Sequence, residues 1–448
     1  MSSKWPTVTI DHVCDLIVDC VNKTAPVIDG PTPYRMIRTT NIRNGRIDLN
    51  ECRFVDEATF AKWTRRAELR LGDVLLTREA PIGEVGFVLE PKGLFLGQRV
   101  MQYRANAQVL SHRFLLYSFL SPALQHQFGS HEGSGSVVSH IRVGDCLKFK
   151  LKLPPLPVQN EIATLLGALD DRIALLRESN VTLESIAQTL FKSWFVDFDP
   201  VRAKQQGIAP AGTDEATAAL FPDSFDELAA GLLPKGWECT DLAELTKRFG
   251  GSIQTGPFGS QLHASDYVES GVPVVMPKDI VNRRASTASV ARIGDADADR
   301  LSRHKVQAGD IVFSRRGDVE RHALITEREV GWLCGTGCLL LRPGRQWKSP
   351  GFLSMLLDAP RARTWLVQHA VGATMPNLNT GILGSVPVVL PSPSVLAAFE
   401  ELVSVTEEQR SRNASMAETL ATLRDTLLPR LISGQLRLPE AEAALDAA

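Results

Sequence analysis

The sequence predicts an α+β protein built twice: two copies of a mixed strand-and-helix domain, each followed by a long helix, the two helices pairing as an antiparallel coiled coil. Two observations predict it, an internal repeat and two long apolar stripes at coiled-coil spacing. The repeat has a constant offset of 237 residues. Leu71-Gly-Asp-Val-Leu-Leu-Thr-Arg78 returns as Ala308-Gly-Asp-Ile-Val-Phe-Ser-Arg315, Gly135-Ser-Val-Val-Ser-His-Ile141 as Gly372-Ala-Thr-Met-Pro-Asn-Leu378, and Leu153-Pro-Pro-Leu-Pro157 as Leu390-Pro-Ser-Pro-Ser394. An offset this long, unchanged across the three segments, means a duplicated domain and not a solenoid.

Each half has the same order of parts. A Gly-Asp turn opens a strand, Leu71 to Leu76 in the first half and Asp310 to Phe313 in the second. A short apolar helix follows, Phe114 to Leu120 and Phe352 to Leu357. A proline-rich stop then ends the domain, and a long helix begins. In the first long helix Ile162, Leu166, Leu169, Ile173, Leu176, Asn180, Leu183, Ala187, Leu190 and Trp194 step by four and three without a break, a seam of about five heptads. In the second, Phe399, Leu402, Thr406, Gln409, Asn413, Met416, Leu420, Leu423, Leu427 and Leu431 form a more polar seam. Each stripe needs a cover, and the other stripe is the obvious one. Asn180 and Asn413 both fall mid-seam. A buried Asn there costs stability but fixes register, so the two are expected to meet. The boundaries that follow are 1–152 and 237–389 for the domains, 153–198 and 390–435 for the helices, 199–236 for a polar linker on the surface and 436–448 for a tail.

Composition excludes several classes. No apolar run approaches the ~18 residues of a membrane span, and the start MSSKWPTVTI has no signal-peptide pattern. A cytoplasmic protein without a membrane partner is expected. The cysteines at 14, 20, 52, 146, 239, 334 and 338 are odd in number and lack CxxC spacing, which argues against a disulfide framework or a zinc ribbon. Cys334 and Cys338 read as buried thiols. The net charge of −2 leaves room for local basic patches.

The stretch from Leu153 to Lys204, with Leu190-Phe-Lys-Ser-Trp-Phe195 followed by Asp197-Phe-Asp-Pro200, resembles the central region of type I restriction–modification specificity subunits. Thr426 to Glu442 resembles the end of their second helix, and the order of parts and total length match as well. The segments Ser2 to Lys150 and Trp237 to Pro387 match no member closely enough to borrow a target sequence. The resemblance implies a non-catalytic protein whose two target-recognition domains each read one half of a split, asymmetric site in double-stranded DNA, the helices acting as a ruler between them. It implies two adenine-N6 methyltransferase subunits as partners, and two motor-nuclease subunits in the restriction enzyme. S-adenosylmethionine, ATP and Mg are then expected on those partners, and no cofactor or metal on this chain. A helix of roughly 36 residues spans about 54 Å, about one and a half turns of DNA at ~3.4 Å per base pair. The alternative is a coiled-coil scaffold or decoy that docks the methyltransferase without touching DNA.

The residues show none of the chemistry of an enzyme. No Asn/Asp-Pro-Pro-aromatic motif is present, since valine follows Asp199-Pro200, and no GxxxxGK[ST] phosphate cradle occurs. Gly133-Ser-Gly-Ser136 lacks the motif and helix of a nucleotide loop. The nine histidines lack ligand spacing.

Base edges are read by Arg, Asn, Gln, Ser and Thr, and phosphates are held by Lys and Arg. In the first domain the DNA-binding candidates are Arg38, Thr40, Asn41, Arg43 and Arg46, then Arg78 after its strand, and Arg99 beside Gln98 in a later turn. In the second they are Lys278, Arg283 and Arg284, then Arg315, Arg316 and Arg321. Arg78 and Arg315 share the repeat offset. His140 and Asn377 fit turn-stabilising groups better than DNA contacts. Trp194, Phe195 and Phe198 fit packing at the helix–domain junction, or a methyltransferase docking surface, better than base-stacking platforms.

Overall fold

A computed structural model describes residues 5–21, 23–131, 140–228, 231–287, 290–372 and 374–441. The chain divides into two compact units, 1–176 with 416–448, and 177–415. The Gly133–Ser136 turn lies outside the described residues.

The first unit is built on a four-stranded antiparallel sheet. Its strands are β1 (Cys14–Asp19), β4 (Val74–Arg78), β5 (Ile82–Phe87) and β6 (Val100–Ala105), in the order β1-β6-β4-β5. Between β1 and β4 lies a small hairpin, β2 (Ile42–Arg43) and β3 (Arg46–Ile47). Val74, Leu76, Val85, Met101 and Tyr103 bury one face of the sheet against α1 (His112–Leu120) and the first part of α2 (Leu156–Phe195). Chain entry and exit are tied together, because Thr7–Thr9 pairs antiparallel with Lys150–Lys152 just before α2.

The second unit repeats this plan. Strands β7 (Ser252–Thr255), β10 (Ile311–Ser314), β11 (His322–Leu324) and β12 (Cys338–Arg342) form an antiparallel sheet in the order β7-β12-β10-β11. The small hairpin is β8 (Ile280–Val281) and β9 (Arg284–Ala285). The short helix is α3 (Pro350–Asp358), and Glu238–Asp241 pairs with Pro387–Leu390 just before α4 (Pro393–Ser433).

The repeat extends to single bonds. After the Gly-Asp turn, Asp73 is ion-paired with Arg104, and Asp310 with Arg342. The Ile141 N–H donates to the Arg78 carbonyl at 3.0 Å, and the Leu378 N–H to the Arg315 carbonyl at 2.9 Å. Short helix and long helix are joined in both units. The Ser111 N–H donates to Gln159 of α2 at 2.8 Å, and the Gly351 and Phe352 amides donate to Glu400 of α4 at 3.0 and 3.1 Å.

Within each unit the helices run antiparallel. In the first, Ile162 and Leu166 share a core with Leu427 and Leu431, and Ile173 and Leu176 pack on Ala417. In the second, Phe191 and Phe195 pack on Phe399, and the Asn413 side-chain amide donates to Asn180 Oδ1 at 2.9 Å. The expected Asn–Asn meeting is therefore present.

The seam of α4 differs from the sequence reading. Leu402, Gln409 and Met416 are exposed, whereas Val403, Glu407, Arg410, Asn413 and Ala417 are buried. Apolar spacing misses this line because charged residues, satisfied by partners from elsewhere in the unit, occupy two of its positions.

The 199–236 stretch also differs from a bare surface linker. It carries helices Asp199–Gln205 and Glu215–Ala219 and the paired strands Phe225–Leu228 and Gly231–Pro234. Val201, Phe221 and Leu233 are buried in the second unit's core beside Trp194 and Trp237, with Trp194 edge-on to Phe221 at 5.0 Å. The helix-end aromatics are thus junction packing. Cys334 and Cys338 are buried, and a bond from Cys334 together with burial holds the Cys338 thiol well above its ordinary pKa.

Candidate nucleic-acid interface

In both units an arginine stands where the strand after the Gly-Asp turn ends, Arg78 as the last residue of β4 and Arg315 directly after β10. Arg78 N–H donates to the Arg99 carbonyl at 2.8 Å, which sets the two arginines side by side. Arg99 is exposed at a φ of 69°, with its Nε 2.8 Å from Glu79. Arg78 Nη1 donates to the Ile141 carbonyl at 3.0 Å, which aims the guanidinium toward Ile141. Its Nε is buried and has no hydrogen-bond partner among the described residues.

The second unit reproduces this at Arg315. Its N–H donates to the Gly337 carbonyl at 2.9 Å, and its Nε is likewise buried without a partner among the described residues. Arg316 is exposed and bridges to Asn377. The Gly317 N–H donates to the Pro376 carbonyl at 3.0 Å, and Asn377 exchanges two backbone bonds with Val371. Asn377 Oδ1 is also buried and unpartnered among the described residues. Arg321 closes the turn, 2.7 Å from Asp318. A buried donor left unpaired in a folded protein calls for a ligand or another explanation, and here it recurs at equivalent places. Asn377 thus serves the turn through its backbone and adds a free acceptor beside Arg315, a role that sequence reading assigned only in part.

The structure places the remaining candidates differently. Asn41 is buried, accepting the Arg38 N–H at 2.9 Å as a turn cap. Arg38 donates to the Glu51 carbonyl at 3.1 Å, and its Nε has no partner among the described residues. Thr40 is exposed. Arg43 turns back onto the Thr39 carbonyl at 2.8 Å. Lys278 is exposed, 3.6 Å from Asp279. Arg46, Arg283 and Arg284 face a long helix of their own unit instead of an open loop. Arg46 donates to the Asp170 carbonyl at 3.2 Å, Arg284 donates to Glu407, and Arg283 donates to Glu184. Burial pulls the Arg284 pKa down, against the pull of Glu407. Sequence reading misplaced these three because a hairpin tip looks the same whether it meets solvent or a helix. Their acidic partners Glu184 and Glu407 were legible only as charges in or beside a seam.

Residues 3–185 match the model of the type I restriction modification DNA specificity domain. The specificity subunit of the type I restriction enzyme HindI from Haemophilus influenzae is 26% identical over 411 residues, covering 82% of this chain and 87% of that one. The chain is similar to type I restriction–modification specificity subunits over most of its length. The MjaIX specificity subunit of Methanocaldococcus jannaschii is 24% identical over 383 residues, covering 85% of this chain and 82% of its own length. The crystal structure of the type I system S subunit from M. genitalium shares the fold at a TM-score of 0.55 and 15% identity, covering 96% of each chain. Among the described residues, no helix is long and apolar enough to cross a membrane and no group of side chains could hold a metal ion.

Proposed function

We propose that this chain is a specificity subunit that reads a split, asymmetric site in double-stranded DNA, domain 1–152 taking one half and domain 237–389 the other. The observation that carries the reading is the matched pair Arg78 and Arg315, each with a buried Nε that has no partner among the described residues, at the same point of the repeat. The Arg78 guanidinium, held at one edge by the Ile141 carbonyl, keeps its other donors for guanine or phosphate oxygens. Around this pair, exposed Thr40, Arg43 and Arg99 in the first domain and exposed Lys278, Arg316 and Arg321 in the second supply further polar groups, with Asn377 beside them. Arg46, Arg283 and Arg284 are not part of the proposed DNA-facing set.

The subunit itself carries no reaction in this reading. It acts in the cytoplasm, directing two adenine-N6 methyltransferase subunits that bring S-adenosylmethionine, and two motor-nuclease subunits that bring ATP and Mg. A decoy without DNA contact would not need arginines at matched strand ends. Single-molecule sequencing of DNA from cells carrying the subunit with its methyltransferase tests the reading. A split motif with N6-methyladenine in both halves, lost when the subunit is deleted, is expected. Methylation that persists without the subunit would overturn it.

A further inference from the structure

The turn Val281–Arg284 joins β8 to β9 through Asn282 and Arg283, both at positive φ, 48° and 60°. The corresponding turn Arg43–Arg46 carries Asn44 at 49° and Gly45 at 82°. Asn-Gly is the favoured pair for this two-residue turn. An arginine at the glycine position is strained, and such strain persists where the surroundings over-determine it.

The surroundings of Arg283 do so. Its side chain is 6% exposed. Nε donates to Glu184 Oε1 at 3.0 Å, and Nη2 lies 2.6 and 2.8 Å from the two Glu184 oxygens. Nη2 is also 3.4 Å from Glu407, and Nη1 donates to Ser354 Oγ at 3.0 Å. Arg284 pairs with Glu407, Arg410 with both Glu184 and Glu407, and Asp358 closes the cluster 4.0 Å from Arg283. Three bases thus meet three acids drawn from the hairpin, α2, α3 and α4. Ser354 extends the chain, since His322 Nε2 lies 3.1 Å from its Oγ and 3.0 Å from its carbonyl. His322 opens β11 directly after Arg315–Arg321. In the first unit Gly45 has no side chain to do this, and Asp170 is held by Tyr117 and Arg424 instead.

We propose that Arg283 is a positioning residue for specificity, indexing the Arg315–Arg321 turn rigidly to the α2 and α4 segments of the second unit. This rests on the reading that the turn faces DNA. Loss of the index loosens base choice in the second half-site and widens the tolerated spacing, while the first half-site keeps its bases.

The test uses the full subunit co-expressed with its methyltransferase, on a library of duplexes randomised in both half-sites and in spacer length, read by methylation sequencing. Wild type is expected to select one split motif at one spacing; no split motif would sink the underlying reading and the proposal with it. Arg283→Gly supplies the residue the turn prefers. It is expected to keep the first half-motif, to lose selectivity in the second, and to accept spacers one base pair longer and shorter. Should that variant not fold, R283G/E184Q, which removes an acid together with the base, is read in its place. Ser354→Ala, which leaves Arg283–Glu184 and the Ser354 carbonyl contact to His322 intact and removes the hydroxyl that joins Arg283 to His322, should loosen the second half-motif alone. A lowered thermal midpoint with both half-motifs and the spacing unchanged, or an equal loss in both halves, would show Arg283 to be structural only.

Discussion

Glu400 illustrates how one side chain can set a unit's response to pH. It accepts two amides at the start of α3, and burial pushes its pKa up to about 7. The folded state therefore binds this proton more tightly than the unfolded chain, and the stabilisation it brings is present below the ordinary carboxylate range. That stabilisation fades as pH rises from about 4.5 to about 7, on the order of 3 kcal/mol over the interval. Glu400→Gln should flatten this slope in thermal midpoints measured from pH 5 to 8; an unchanged slope would assign it elsewhere. The corresponding group in the first unit, Gln159, does not titrate, so only the second unit carries this dependence.

At the scale of elements, the Asn180–Asn413 pair decides how the α2 and α4 segments register. Asn180 also donates to the Arg410 carbonyl at 3.0 Å, so each amide finds its partner within the seam. Replacing both with leucine should raise the thermal midpoint while relaxing register, because a buried seam Asn trades stability for specificity. Asn180→Ala alone should cost about 1–3 kcal/mol in chemical denaturation, since it strands a buried amide. A stabilising single variant would contradict this. The pair was legible from spacing alone. The buried line through Glu407 and Arg410 was not, because charges enter a seam only when a hairpin elsewhere in the sequence neutralises them.

For the molecule as a whole, duplication makes the two half-sites separable. Arg78→Ala should weaken selection in one half of the motif by about 1–3 kcal/mol and Arg315→Ala in the other, the discrimination a well-placed arginine supplies. Binding measured against single-half variants of the target checks this. A uniform loss in both halves would mean that the arginines hold phosphate without reading bases. If phosphate contacts dominate, each substitution should also reduce the salt dependence of binding by about one unit of slope.

The sequence alone determined the duplication, the paired long helices, the Asn pair and the two strand-end arginines, because each is written as a period, an offset or a local turn signal. Which arginines remain free was decided by tertiary structure. Arg283 and Arg315 are both basic residues in turns of the same domain, yet one is spent on Glu184 and the other has a donor with no partner among the described residues. The difference lies in residues about a hundred positions away in the chain, and folding alone brings those within reach.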